Sequence, residues 1–180
     1  MSNQLIIKGM HARHRALTPP VAGSYYEAAT VCLSRHHSPP VEITLSDNGN
    51  ESHAELTWDI PDLRVLAAWA NANVATEAGA YGCVIAGVDL LRGLFAVSRA
   101  ETGTGSDYYV GPKGSAEDDL ESCVRLEVSG LSDGNVRDVN RRLVEKVQQA
   151  RDGRSSLPAL AGVIGFSARL LLMKDVPEES

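Results

Sequence analysis

At 180 residues, with 43% apolar and 22% charged side chains, the chain is long enough to bury one sizeable core and has the composition of a soluble globular domain. A formal net charge of −6 argues against a protein that coats nucleic acid indiscriminately, and Gly, Asn or Glu interrupts every apolar stretch before the ~18 residues a membrane span needs. The first residues lack the basic and long apolar regions of a secretory signal, and Cys32, Cys83 and Cys123 lie far apart in apolar surroundings, so reduced core thiols and a cytoplasmic location are expected.

In chain order, residues 24–36 read as a short amphipathic helix with Ser24 as N-cap, stopped by Pro39-Pro40. Residues 41–45 and 54–58 alternate with period two around the turn Asp47-Asn-Gly-Asn, which predicts a hairpin with an acidic face in water. Asp59-Ile-Pro-Asp62 then starts one long helix, with Leu63, Leu66, Ala70, Val74, Glu77, Tyr81, Ile85 and Val88 down a single stripe and Gly93 at its C-terminal cap. Three strands follow at 94–99, 107–111 and 123–129, the first two separated by the Gly-rich turn 101–106 and the last two by an acidic loop at 112–121. A second helix is predicted over 135–152, with Val136, Val139, Leu143, Val147 and Ala150 as its buried stripe. A last strand or strand pair covers 160–173, and residues 176–180 read as a frayed tail. The pattern implies an α/β (mixed α+β) fold with a mixed central sheet, and a crossover from the third strand through the second helix to the last strand. Residues 1–58 form an N-terminal extension packed on a core at 59–176, with a tail at 177–180.

Charge falls in blocks. Residues 1–40 and 135–154 each carry an excess of three bases, whereas 41–62 hold six acids and no base and 114–134 have a balance of −5. The basic blocks are either phosphate contacts or solvated faces. Against this background three acids stand out. Glu77 is the only charge in its helix stripe, Asp107 opens the second strand, and Glu127 lies inside the third. A carboxylate at a position patterned for burial is costly unless something positive meets it.

The order helix, three strands, helix, strand, with an acid on the helix, Asp107 on the second strand and Glu127 on the third, resembles the PD-(D/E)XK nuclease superfamily, whose familiar members are restriction endonucleases. The resemblance covers roughly residues 60–175. It implies a restriction endonuclease-like αβββαβ core and a hydrolase acting on DNA or RNA, possible roles in defence or toxin-linked systems included. It also implies Mg²⁺ or Mn²⁺ on Asp107 and Glu127, with Glu77 in support. A hard cation on oxygen ligands binds the phosphate and lowers the pKa of water, which is why these residue types suit phosphodiester hydrolysis.

The family pattern on the third strand is Glu-x-Lys, and here the third residue is Ser129. Lys146 on the following helix, or Lys113 after the second strand, are the replacements within reach. Arg125, Arg141 and Arg142 are the expected nucleic-acid contacts. Each residue also has a plainer reading. Glu77 pairs with an arginine, Asp107 satisfies the preceding turn, Glu127 pairs with Arg142 or Lys146, and Arg125 is structural. The alternative function is a catalytically inactive nuclease-fold subunit that binds a protein partner, a homodimer being a further expectation. A weaker one is a small-molecule module using the 103–106 turn, which lacks the third glycine of a dinucleotide fingerprint.

Overall fold

The computed structural model describes residues 3–178. In chain order the elements are β1 (Asn3–Gln4), a 3₁₀ turn (Met10–Ala12), α1 (Pro19–Ser34), β2 (Val41–Asp47), β3 (Asn50–Leu56), α2 (Leu63–Ala68), α3 (Ala72–Arg92), β4 (Phe95–Arg99), β5 (Tyr108–Gly111), β6 (Val124–Leu131), α4 (Val136–Arg151), β7 (Ala159–Gly165) and β8 (Leu170–Asp175). The strands form one mixed sheet in the order β1-β3-β2-β8-β7-β6-β5-β4. β4, β5 and β6 run as an antiparallel meander, β6 and β7 are parallel with α4 between them, and β2 joins β8 in parallel. The hairpin of β2 and β3 therefore extends the same sheet, with Glu42, Glu51 and Glu55 on its exposed face.

Side-chain alternation divides the sheet between two layers of helix. Leu126, Leu160, Ile164 and Leu171 pack in the main core with α1 and α3. Ala161, Val163, Leu170 and Leu172 face Val139 and Leu143 of α4. Small residues let α3 sit deep between α1 and the sheet. A Cβ on Gly79 would come within 3.0 Å of the Ala29 backbone in α1, and one on Gly130 of β6 within 2.9 Å of the Ala80 methyl. α3 is long and apolar enough to cross a membrane by composition, but most of that stretch is buried in this core. Cys32, Cys83 and Cys123 are free and buried, as their apolar surroundings suggested.

Three boundaries differ from the sequence reading, the simplest being β3, which runs over Asn50–Leu56 against the expected 54–58, because pairing with β2 starts directly at Asp47 and Asn50. α1 starts at Pro19, because Pro19-Pro20 occupy first-turn positions that need no N–H donor, and Ser24 lies inside the helix with its hydroxyl bonded back to the Val21 carbonyl. The single long helix is two. The Asn71 side chain accepts from the Asn73 and Val74 N–H groups, capping a fresh start after Trp69. The stripe is correct only in its second half: Tyr81, Ile85 and Val88 are buried, while Leu63, Leu66 and Val74 are exposed. On α4, Val136 is likewise exposed. Residues 176–178 follow β8 without regular structure, and the remainder of the expected tail, 179–180, lies outside the described residues.

His14 shows how the segment before α1 is fixed to the sheet. Its Nδ1 accepts from the Ala96 N–H of β4 at 3.0 Å, so the proton sits on Nε2, which faces the Asp89 carboxylate at 3.4 Å. The ring is 1% exposed, and burial outweighs Asp89 in holding its pKa down to about 4. The unfolded chain therefore binds a proton at His14 between the ordinary value of 6.5 and about 4, while the folded chain does not. Stability is expected to fall as pH drops through that window, by an amount on the order of 3 kcal/mol for this group. Urea titrations at a series of pH values check it. His14→Asn, whose amide oxygen can still accept from Ala96, loses this slope, and an unchanged slope would show that another group carries it.

Candidate functional site

Two strands and one helix build the site. The last paired residues of β5 and β6 at this end are Tyr108 and Leu126, so one step further Asp107 comes opposite Glu127. Asp107 is held from two sides. Its Oδ1 accepts from the Tyr81 hydroxyl of α3 at 2.8 Å and its Oδ2 from the Val128 N–H at 2.8 Å. The turn-satisfying role considered from sequence is thus replaced by a fixed orientation toward β6.

Glu127 is 2% exposed, and its Oε1 accepts from Lys146 Nζ at 2.8 Å. Lys146 reaches it from α4, one turn past Arg142, and also donates to Gln149 Oε1 at 2.9 Å. Burial pushes the Glu127 pKa up to about 7, the nearby Asp107 charge pushes the same way, and Lys146 only partly opposes them. The arrangement is two carboxylates on adjacent strands with more negative charge than the single ammonium neutralises.

These two acids lie where two hollows meet. One, of about 790 Å³, runs along Arg99, the Gly-rich turn and the C-terminal half of α4. The other, of about 660 Å³, runs between the start of α3, the end of β6 and Arg142. Asp107, Glu127 and Gln149 line both, so the pair forms one cleft with the acids at its middle. Seven carboxylates line the cleft (Glu77, Glu101, Asp107, Glu127, Asp133, Glu145 and Asp152) against three cations, Arg99, Arg142 and Lys146.

Of the residues expected from sequence, Asp107, Glu127, Lys146, Glu77 and Arg142 converge on this cleft. Glu77 does so from an exposed position in the second turn of α3, so it is not the buried stripe acid the spacing suggested. Arg142 donates to Ser129 Oγ at 3.1 Å and pairs with Glu145 at 3.1 Å. Three residues fall elsewhere. Lys113 lines a separate hollow with His11 and Phe95. Arg141 is exposed, pairs with Asp138 and faces a shallow hollow with Arg151 and Lys174. Arg125 is 5% exposed and gives its guanidinium to the carbonyls of Leu157, Thr104 and Ala150, a structural commitment that leaves no surface for phosphate.

Sequence reasoning passed over Arg99, Tyr81 and Tyr25. Arg99 Nη1 donates to the hydroxyls of Tyr25 and Tyr108 at 3.0 and 3.2 Å, and Nη2 to Tyr81 at 3.1 Å. The guanidinium also lies over the Tyr81 and Tyr108 rings, 4.7 and 4.9 Å from their centroids. Tyr81 thus joins this cluster to Asp107. Spacing could have flagged Tyr81, one turn after Glu77 on the same stripe, but nothing local links Arg99 to Tyr25.

Among the described residues no three His, Cys, Asp or Glu side chains stand close enough to enclose a metal ion. A cation at Asp107 and Glu127 would hold two protein carboxylates and take its other ligands from water and substrate, the manner in which Mg²⁺ is ordinarily bound. The raised Glu127 pKa fits such a use, because a divalent cation relieves the repulsion between the two acids. No family model, curated protein or solved structure matches this chain.

Proposed function

We propose that the cleft hydrolyses phosphodiester bonds in DNA or RNA with Mg²⁺ or Mn²⁺, in a PD-(D/E)XK-like core spanning α3, β4, β5, β6, α4 and β7. The observation that carries this reading is the convergence of Asp107 and Glu127 from adjacent strands with Lys146, which arrives from α4 beside the position that Ser129 leaves without an ammonium. Asp107 and Glu127 would hold the cation, which when bound would polarise the phosphate and lower the pKa of an attacking water. Tyr81 and the Val128 N–H keep the Asp107 carboxylate aimed across β6. Lys146 partly opposes the burial and the Asp107 charge that disfavour an ionised Glu127, and supplies an N–H donor at the same place. Glu77, exposed at the cleft edge, can orient water.

The excess of carboxylates has a consequence for binding. A polyanionic strand is repelled from this cleft until a divalent cation neutralises its centre, so both binding and cleavage are expected to vanish in chelator. The test is incubation of purified protein with plasmid, single-stranded DNA and RNA, with Mg²⁺ or Mn²⁺ and with chelator. Absence of cleavage in all three substrates, together with no metal binding by calorimetry, overturns the reading.

A second reading has its own observation. α2 buries none of its residues, and Ile60, Leu63 and Val74 are 75%, 85% and 52% exposed. Exposed apolar side chains of this kind suit a nuclease-fold subunit that docks on a protein partner. It predicts stable co-purification with that partner and a function unaffected by replacing Asp107 and Glu127 with alanine.

A further inference from the structure

Of the three cations in the cleft, Lys146 is paired with Glu127 and Arg142 with Glu145. Arg99 has no carboxylate in salt-bridge contact among the described residues; its hydrogen-bond partners are three phenol oxygens. Neutral phenols orient a guanidinium but do not neutralise it. Tyr25, Tyr81 and Tyr108 are 9%, 7% and 2% exposed, and the Tyr25 and Tyr108 hydroxyls are bonded to one another at 2.5 Å, so the cation rests on a buried, preassembled aromatic platform. Arg99 itself is exposed and lines the same hollow as Asp107 and Glu127. A guanidinium has five N–H donors. The tyrosines take three, which leaves Nε–H and one Nη2–H for something that enters from the cleft.

We propose that Arg99 binds a backbone phosphate of the nucleic-acid strand, to one side of the phosphate that lies over Asp107 and Glu127. This rests on the nucleic-acid reading of the cleft and adds to it the residue that registers the strand. The chemistry favours this assignment over a purely structural arginine. The charge is fixed, permanent and unpaired, and it stands in a cleft whose other cations are already committed. Because the tyrosines hold the planar fork in place, little side-chain entropy is lost when an oxyanion arrives.

The experiment measures binding of short fluorescein-labelled single-stranded DNA, RNA and duplex DNA by anisotropy, with Ca²⁺ in place of Mg²⁺ to suppress cleavage, over a range of salt concentrations. Arg99→Gln is expected to weaken binding about tenfold regardless of sequence and to lower the salt slope by about one, the loss of one phosphate contact. If the wild-type protein binds and Arg99→Gln matches it in affinity and slope, the assignment of Arg99 is overturned while the cleft reading stands. If the wild-type protein binds none of the three probes, both are overturned. Should Arg99→Gln fail to fold, the wild-type protein supplies the answer through phenylglyoxal modification mapped by mass spectrometry. Protection of Arg99 by a bound strand supports the assignment, and equal labelling with and without it overturns it.

Discussion

Glu127→Gln is expected to produce a protein that is more stable and inactive. The Glu127 pKa lies near 7 in the folded chain against an ordinary value of 4.5, because burial and Asp107 both disfavour the charge. A carboxyl whose folded pKa is raised contributes stability that is complete below 4.5 and lost as pH rises through about 7. At pH 8 the ionised side chain therefore costs the fold on the order of 3 kcal/mol relative to its protonated form. Glutamine has the shape of the protonated acid, keeps an oxygen for Lys146 and does not ionise. A net gain of about 2 kcal/mol at pH 8 is expected after allowing for a weaker bond to Lys146, roughly 4–8 °C in melting temperature. The gain disappears below pH 4.5, where the two proteins share the same charge state.

Cleavage goes the other way. Under the proposed metal-dependent hydrolysis, losing one of the two carboxylates assigned to the cation is expected to lower the rate about 10³-fold, or ~4 kcal/mol of transition-state stabilisation. Opposite signs for stability and activity are what a site built at the expense of the fold predicts. A Glu127→Gln protein that melts lower than wild type at pH 8 would mean that Glu127 is a stabilising ion pair with Lys146 and no more. His14 titrates over a similar window with the opposite slope, so wild-type stability is flatter between pH 4.5 and 6.5 than either group alone would make it. The two single variants separate the contributions.

What could be read from sequence follows the range of each interaction. The meander β4–β6, α4 and the last two strands were legible because turn residues and alternation are local signals. So were Asp107, Glu127 and Lys146, since strand alternation placed two acids on neighbouring strands and the stripe of α4 placed a lysine beside it. Depth was not legible. Arg125 shares its strand face with Glu127, yet one lies under the Gly-rich turn and the other opens to the cleft, a distinction set by the path of residues 101–106 over the end of α4. Glu77 was misjudged for a related reason. α3 is rich in small residues that allow burial on several faces, so its stripe does not mark where burial begins: in its first turns Ala75 and Thr76 are buried while Val74 and Glu77 face outward. Arg99 was invisible because its meaning depends on Tyr25, which α1 supplies from 74 positions earlier in the chain. Contacts of that separation leave no trace in periodicity.

Arg125→Met is expected to be the most destabilising single change near the cleft. Methionine retains much of the aliphatic volume, so packing changes little, but three carbonyls lose their charged donor. They come from three segments: Leu157 ahead of β7, Ala150 at the end of α4, and Thr104 in the Gly-rich turn. Among the described residues no acid is in salt-bridge contact with Arg125, so its hydrogen bonds to these carbonyls hold the guanidinium, and burial keeps its pKa below the ordinary value. Each carbonyl left unsatisfied costs about 1–3 kcal/mol where water cannot reach it, and about 3–5 kcal/mol in total is expected, a large share of the ~5–15 kcal/mol that separates folded from unfolded domains. The turn it anchors is packed tightly against α4. A Cβ on Gly105 would come 2.7 Å from the Gln149 carbonyl oxygen, so there is no room at this position for any side chain. Since Asp107 follows this turn directly, its carboxylate loses a fixed start to β5, and metal-dependent binding is expected to fall with stability. Urea denaturation gives the loss of stability, calorimetric titration with Mn²⁺ gives the loss of metal binding, and amide exchange at Asp107, whose N–H bonds to the Leu126 carbonyl, reports the loosened start of β5. Arg125→Lys should recover only part of the loss, because one ammonium on a flexible stem cannot serve three carbonyls set in a fork. Were Arg125 instead a phosphate contact, Arg125→Met would weaken nucleic-acid binding and leave the urea midpoint unchanged.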